Sequence, residues 1–324
     1  MVDKISLETL GIPWESGVRD WHKIPHKILP SCSAFGVISD LSGNRRFKLK
    51  SKGYLGKGTF GQIDSFYRED VSGTTVIALK RPNKQSVNLL LEGLFQWNLH
   101  NSLINFEIEF SVPKVYDIFV DKITSSVWFT MEAFKPICLA AWCIGITDSN
   151  TFLLLMLQLS LILEVFQKEF HIDHRDLKAN NILIVEQKVS ITIVWNGVKR
   201  ELLFPFRIVF IDFGFACNGT SLDIREKNGI PLLDPCPKQG RDIFQILVSL
   251  WKIKDIRRNL ESSWGSWIRK KLSTVVPEVP VLRYLENLPD LNWLYTMTDD
   301  KSFKAPLCTP TSIIKECMDK IDCK

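Results

Sequence analysis

The pattern of hydrophobic and polar positions divides the chain into a strand-like part and a helical part. Residues 48–80 carry β-branched and aromatic residues around glycines, in the runs YLGKGTFGQIDSF and TTVIALK, which predicts two or three antiparallel strands. Residues 86–100 place apolar side chains at helical spacing, with Glu92 beside that stripe: Leu91, Leu94, Phe95 and Leu99. Residues 113–119 and 126–131 resemble two further strands. The first part of the chain is therefore predicted to be rich in β-structure.

After Pro136 the pattern is mostly helical. Residues 152–166 are strongly apolar, but they include Gln158 and Glu164 and fall short of the roughly 20 apolar residues of a membrane span, so we expect a buried helix and no membrane span. Residues 181–212 are the exception, because they resemble strands joined by a tight turn at Asn196-Gly197.

This order of elements predicts an α+β chain with two lobes. The predicted parts are an N-terminal extension at residues 1–45, a small β-rich lobe at residues 46–133 and a mostly helical lobe at residues 134–324. The extension contains several prolines and has no predicted place in either lobe.

Composition narrows the class of protein. A hydrophobic content of 45% and a charged content of 24% are ordinary for a soluble globular protein and exclude a disordered, collagen-like or coiled-coil chain. The net charge of +5 and the absence of any run of five basic residues argue against a dedicated nucleic-acid binder.

The eight cysteines show no CxxC spacing and no histidine at a zinc-site distance: Cys32, Cys138, Cys143, Cys217, Cys236, Cys308, Cys317 and Cys323. A metal framework is therefore not expected. Without a recognisable signal peptide, we expect reduced thiols in a cytosol-like compartment.

A glycine motif lies in the strand-like part, from Gly56 to Gly61, as GKGTFG. Alone it is compatible with a simple tight hairpin. Strand-like sequence flanks it on both sides and no helix follows, which argues against a dinucleotide-binding fold. A glycine-rich hairpin allows backbone N–H groups to approach a polyphosphate closely.

Lys80 ends the next strand-like segment, Ile77-Ala78-Leu79-Lys80. A lysine on a strand is usually a solvated edge residue, but this one follows an apolar run at a distance from which it could reach phosphates at the glycine turn. A buried ammonium needs a carboxylate partner to offset its desolvation. Glu92 is the preferred partner, and Glu107 and Glu109 are alternatives.

A third motif, HRDLKANN at residues 174–181, is followed by Asp212-Phe213-Gly214. Either part alone could be a surface loop or a turn. Phosphoryl transfer needs a carboxylate that orients the attacking hydroxyl and accepts its proton, together with oxygen ligands for Mg²⁺. Asp176 can supply the first, and Asn181 and Asp212 can supply the second. Their order behind a glycine turn and Lys80 favours phosphoryl transfer.

Together these motifs resemble the signature set of the protein kinases, from about Lys48 to about Trp251. The resemblance implies a bilobal, protein-kinase-like fold with a small antiparallel β-rich N-lobe and a mostly helical C-lobe. It implies ATP and Mg²⁺ as cofactors and the Ser/Thr hydroxyls of proteins as acceptors.

The resemblance also implies roles for individual residues. Asp176 would be the catalytic base, Lys178 would contact the transferring phosphate as in Ser/Thr-type kinases, and Lys80 would pair with Glu92. The metal ligands would be Asn181 and Asp212. The nucleotide-binding residues would be Gly56, Lys57, Gly58, Thr59, Phe60, Gly61, Ile63, Ala78, Lys80, Glu132 and Phe134. Asp242 resembles the buried aspartate that anchors the backbone of the catalytic loop.

The chain departs from the kinase pattern between Gly214 and Asp242, where no Ala-Pro-Glu occurs. With the long hairpin before Asp212, this looks similar to the Ser/Thr kinases of nucleocytoplasmic large DNA viruses, which would place the protein in the cytoplasm of an infected host or in the virion. Arg175 could pair with a phosphate on Thr220 or Ser221, although we favour purely structural contacts for it.

Two other functions stay open at this point. The chain could be a non-catalytic, kinase-fold module that docks partners, which the missing Ala-Pro-Glu permits and the intact catalytic residues oppose. It could also phosphorylate a small molecule or lipid, against which Lys178 and the complete glycine motif favour protein substrates. Oligomeric state has no signal in the sequence.

Overall fold

The structure is a computed structural model that describes most of the chain. The described residues are 29–33, 36–39, 42–58, 60–84, 87–145, 148–217, 238–259, 264–273 and 308–322. Within them, the residues up to Phe134 form one compact unit and those from Lys135 onward form a second.

The first unit is built from strands and one long helix, α1 (Leu90–Leu103). Its strands are β1 (Ser31–Cys32), β2 (Val37–Ser39), β3 (Arg45–Lys57), β4 (Gly61–Asp70), β5 (Gly73–Pro82), β6 (Val115–Asp121) and β7 (Val127–Glu132). This confirms the strands predicted around the glycine motif, at residues 113–119 and at residues 126–131. It also confirms the predicted helix with its leucine stripe.

These seven strands form a closed barrel in the order β1-β2-β3-β4-β5-β7-β6. The barrel closes through β1, because Ser31 and Cys32 pair antiparallel with β2 and parallel with Val120 and Asp121 of β6. Apolar side chains from several strands fill the interior, among them Ile38, Phe47, Leu49, Ile77, Leu79 and Phe119.

The predicted bilobal, protein-kinase-like fold is therefore wrong. A kinase N-lobe contains an open sheet, whereas the strands here close into a barrel. The closing strand has only two residues and lies within residues 1–45, which had no predicted place. Its parallel partner is far away in the sequence, and hydrophobic periodicity reports only local structure.

The second unit combines helices with short strands. Its described helices are α2 (Leu139–Trp142), α3 (Ser149–Glu169), α4 (Arg241–Trp251), α5 (Lys254–Asn259), α6 (Trp264–Ser273) and α7 (Pro310–Asp322). Its described strands are β8 (Ile137–Cys138), β9 (Ile182–Val185), β10 (Val189–Trp195), β11 (Val198–Phe204) and β12 (Arg207–Phe210). Strands β12, β9 and β8 form one sheet in that order, and β10 pairs with β11 alone.

Helix α3 is the central helix of this unit. It is long and apolar enough to cross a membrane by length and composition, but 67% of its most apolar window is buried inside the protein. Gln158 is fully buried and bonds the backbone of Phe206 and Ile208, which ties α3 to the start of β12. This burial confirms the predicted core helix and is consistent with a soluble protein.

The predicted hairpin is also confirmed. Strands β10 and β11 pair from Val189 with Phe204 to Trp195 with Val198. The turn residues Asn196 and Gly197 have φ angles of 50° and 79°, which is the left-handed conformation that a two-residue hairpin turn requires.

The expectation that every cysteine is reduced is wrong for Cys217, which is disulfide-bonded. Among the described residues, five other cysteines are free thiols: Cys32, Cys138, Cys143, Cys308 and Cys317. The spacing rules that exclude zinc sites cannot detect a single disulfide bridge.

Candidate functional site

The predicted residues fall into two groups, one in each unit. In the first unit, the turn between β3 and β4 carries the glycine motif. The last pair of the ladder is Lys57 with Gln62, and the N–H of Gly58 donates to the carbonyl of Gly61 at 2.8 Å. That bond closes the turn, so the Gly58 N–H can bind a phosphate only if the bond opens.

The neighbouring predicted residues lie in the ladder or in the core. Gly56 pairs with Ile63, which pairs on its other side with Lys80. Phe60 is buried, with 5% of its surface exposed. Thr59 lies outside the described residues.

Gly61 packs directly against the side chain of Lys80. A Cβ atom at Gly61 would lie 2.9 Å from Cε of Lys80, 3.0 Å from its Cγ and 2.9 Å from the carbonyl oxygen of Arg81. Non-bonded carbons pack at about 3.5–4.0 Å. The last glycine of the motif is therefore required by the close passage of the Lys80 side chain and of the Arg81 carbonyl.

Lys80 and Glu92 form the predicted ion pair. The distance from Nζ of Lys80 to Oε1 of Glu92 is 2.5 Å, and their side chains are only 3% and 2% exposed. Strand β5 supplies the lysine and helix α1 supplies the glutamate. Of the alternative partners, Glu107 follows a short 3₁₀ turn after α1 and Glu109 begins the next one.

The other predicted nucleotide contacts are Ala78 on β5, Glu132 at the end of β7 and Phe134 just after it. Ala78 is buried and pairs with Met131. The N–H of Glu132 donates to the carbonyl of Lys114 at 2.8 Å, so an adenine contact at this residue would have to use the Glu132 carbonyl. Phe134 is half-buried at the end of this unit.

In the second unit, Asp176, Lys178 and Asn181 form a compact cluster before β9. Nζ of Lys178 lies 3.1 and 3.0 Å from the two carboxylate oxygens of Asp176. Nδ2 of Asn181 donates to the carboxylate and to the backbone carbonyl of Asp176, at 2.9 Å each. Asp176 is 1% exposed. Because the Asn181 nitrogen is directed at Asp176, its Oδ1 is the atom suited to bind a cation.

Asp212 follows β12 and lies on the backbone segment next to Asn181. The ladder pairs Phe210 with Ile182, and the N–H of Ile211 donates to the carbonyl of Asn181 at 3.0 Å. An amide oxygen and a carboxylate fit Mg²⁺, which usually keeps several waters. No group of three or more His, Cys, Asp or Glu residues is arranged to hold a metal in the part of the chain that the structure describes.

Helix α4 holds the backbone of the loop that carries this cluster. Asp242 accepts the N–H groups of His174 at 2.8 Å and Arg175 at 3.0 Å, which confirms the predicted anchor. Gln245 accepts the N–H of Leu177 at 2.9 Å and donates to the carbonyl of Arg175 at 3.0 Å.

Ser249 adds a third anchor, because its hydroxyl accepts the N–H of Ala179 at 2.8 Å. Asp242, Gln245 and Ser249 are three and four positions apart, so they share one face of α4. Gln245 and Ser249 were missed, although two polar residues at helical spacing in an apolar helix were a usable signal.

Two residues of this group have a strained backbone. Arg175 and Asp212 both have a φ angle of 64°, which is uncommon for residues other than glycine. Such conformations persist where the surroundings over-determine them. For Arg175 the restraint is visible, since Asp242 and Gln245 bond the N–H and carbonyl of this one residue.

Asp173, three residues before Asp176, was also missed. Its side chain and that of Arg241 are fully buried, with 3.6 Å between Nε of Arg241 and Oδ2 of Asp173. Burial, and then the charge of Asp242, raise the pKa of Asp173 to about 7. Its backbone exchanges two hydrogen bonds of 3.0 Å with Cys217, which joins the loop to the segment after Asp212.

Arg175 is buried, with 1% of its surface exposed. This agrees with the structural contacts favoured for it over a phosphate-binding role. Thr220 and Ser221 lie outside the described residues.

No protein-family model matches the sequence, and a search of curated proteins finds no match for it. The function must therefore be inferred from the residues and their geometry.

Proposed function

We propose that this protein is an ATP-dependent protein kinase that transfers the γ-phosphate to Ser/Thr hydroxyls of protein substrates. The observation that carries the proposal is the cluster of Asp176, Lys178 and Asn181, in which a buried carboxylate is held between an ammonium group and an amide. The complete set of Lys80, Glu92 and Asp212 supports it.

Each group has a chemical task. The carboxylate of Asp176 orients the acceptor hydroxyl and takes its proton as the hydroxyl oxygen bonds to the γ-phosphorus and the bond to the leaving ADP oxygen breaks. Lys178 exchanges its contact with Asp176 for the transferring phosphate, and Lys80 binds the α- and β-phosphates. Asn181 and Asp212 would hold Mg²⁺, which offsets phosphate charge when bound.

The buried pair supports the role of Lys80. A buried ammonium is costly unless a carboxylate neutralises it, and Glu92 does so at 2.5 Å. The pair fixes the position of a cation that would otherwise have a flexible four-carbon stem.

The test is transfer of labelled γ-phosphate from ATP with Mg²⁺ to the protein itself and to generic basic proteins, followed by phosphoamino-acid analysis. Asp176→Asn should lower transfer by about 10²–10⁴-fold, the usual contribution of a positioned base. Asp319→Asn, an exposed change on α7, is the matched control and should retain full transfer. Equal activity in the two variants would overturn the proposed mechanism.

The missing Ala-Pro-Glu favours a second candidate, a phosphotransferase for small molecules or lipids. Transfer assays with peptides, sugars, aminoglycosides and lipids in parallel distinguish a protein kinase from a small-molecule or lipid phosphotransferase. Nucleotide binding without transfer to any acceptor would instead indicate a docking module.

We further propose the cytoplasm, of an infected host if the protein is viral, as its compartment. The five described free thiols support a reducing environment, and the disulfide at Cys217 is the exception. Fractionation of cells that produce the tagged full chain tests this, and recovery from a secretory compartment would contradict it.

A further inference from the structure

We infer that Asn83 is a positioning residue that holds carbonyl groups of the glycine turn so that they do not rotate toward a bound phosphate. Asn83 lies just after β5, three residues beyond Lys80. Its side-chain nitrogen donates to the carbonyl of Gly58 at 2.7 Å. Its backbone N–H donates to the carbonyl of Phe60 at 3.1 Å. One residue thus bonds the turn at two points.

The position of Asn83 follows from the chain around it. Gly61 pairs with Pro82 at the end of the β4–β5 ladder. Proline has no N–H group and its φ angle is fixed, so Pro82 cannot donate a ladder bond and stiffens the approach to the next residue. Asn83 supplies the next backbone donor, and its short side chain reaches the other side of the turn.

These bonds matter for an anion because they fix carbonyl groups. The carbonyl groups of Gly58, Phe60 and Gly61 all accept hydrogen bonds, two from Asn83 and one from Gly58. A carbonyl oxygen carries partial negative charge and repels a phosphate, whereas an N–H group attracts it. With the Gly58 and Phe60 carbonyls held by Asn83, the turn cannot rotate these two groups toward a bound anion.

The side chain at position 83 must be a donor. Alanine would remove the bond to Gly58 and leave only the backbone contact to Phe60. Asn83 is half-buried, so removing its side chain would leave space beside the turn. The released Gly58 carbonyl could then rotate.

The inference rests on the proposed function for the identity of the ligand, and the experiment separates the two. Calorimetry measures binding of Mg·ATP and of adenosine, which lacks phosphates, to the full natural chain and to Asn83→Ala. We expect Asn83→Ala to weaken Mg·ATP binding about three- to tenfold, the range of one hydrogen bond, with adenosine binding unchanged. Asn101→Ala, an exposed asparagine on α1 in the same unit, is the control and should change neither.

An equal loss for both ligands would show a general structural role and overturn the inference, as would no loss at all. A natural chain that binds neither ligand would overturn the proposed function and this inference with it. Hydrogen exchange without nucleotide gives an independent readout. The backbone amides of Gly58 and of residue 83, which donate to the Gly61 and Phe60 carbonyls, should exchange faster in Asn83→Ala, and unchanged exchange would count against an anchor.

Discussion

The two units of this protein restrain their candidate functional groups in different ways. In the barrel unit, a side-chain charge is held by an opposite buried charge, Lys80 with Glu92. In the helical unit, α4 holds the main chain of a loop through Asp242, Gln245 and Ser249. A charge pair concentrates the restraint in one contact, whereas backbone anchors distribute it. The two arrangements should therefore respond differently to single substitutions.

The largest expected effect is loss of the charge pair. Glu92→Ala removes the carboxylate that pairs with the buried Lys80 ammonium, and breaking a buried pair in this way costs about 3–5 kcal/mol of unfolding free energy. Replacing both residues, as Lys80→Met with Glu92→Leu, should cost less than Glu92→Ala alone, because no buried charge remains. Urea unfolding measures the three proteins. If the double variant were less stable than Glu92→Ala, the charge pair would not be the contact that concentrates the restraint in this unit.

The distributed anchors should fail more gradually. Gln245→Ala leaves the Leu177 N–H and the Arg175 carbonyl without this partner, and we expect a loss of about 2–3 kcal/mol. Ser249→Ala removes one bond and should cost about 1 kcal/mol. Since both side chains hold one loop, the combined loss should exceed the sum of the two. Urea unfolding tests this, and strict additivity would indicate anchors that act independently.

A smaller effect tests whether the glycine turn depends on Lys80. Gly61→Ala places a methyl group against Cε of Lys80 and should cost about 1–3 kcal/mol, as overpacking does. Gly56→Ala is the matched control, because a Cβ there meets nothing within 4 Å. Thermal melting compares the two variants. Equal melting temperatures of the two variants would mean that the turn accommodates the added methyl group without cost.

The smallest expected effects are opposite pH slopes in the two units. Burial lowers the pKa of His100 in the barrel unit, so its contribution to stability is present above pH 6.5 and is lost as the pH falls through the lower folded pKa. The pKa of Asp173 is raised from 3.8 to about 7, so its contribution is present below pH 3.8 and is lost as the pH rises through 7.

The two slopes are measured as melting temperatures at pH 5 and pH 7. The melting temperature of His100→Gln, relative to that of the natural protein, should be higher at pH 5 than at pH 7. The melting temperature of Asp173→Asn, relative to that of the natural protein, should be higher at pH 7 than at pH 5. Slopes of the same sign would contradict the assignment of the two groups.

The pair in the barrel unit could be predicted because each partner had a local signal. Lys80 ended a strand-like run, and Glu92 lay beside the apolar stripe of the next helix. The closed barrel could not be predicted, since β1 is a two-residue strand whose parallel pairing with β6 leaves no periodic trace. A two-residue strand that directly follows Pro30 has too few positions to show alternation.

The anchors of the helical unit were predicted in part. Asp242 was identified through the resemblance, whereas Gln245 and Ser249 are uncharged and belong to none of the motifs that carry it. Asn83 carried no motif, and its importance depends on the β4–β5 register. The disulfide at Cys217 had no spacing signal.

The β10–β11 hairpin has a consequence for how the sequence of this chain can evolve. Strands β9 and β12 pair directly from Ile182 with Phe210 to Val185 with Arg207, and the hairpin leaves from the end of that ladder. Its strands pair only with each other among the described sheets. Residues can therefore be gained or lost at its tip without shifting the register that aligns Asn181 with Asp212. The same tip, at Asn196-Gly197, is a place to attach a reporter domain while leaving the loop that carries Asp176 undisturbed.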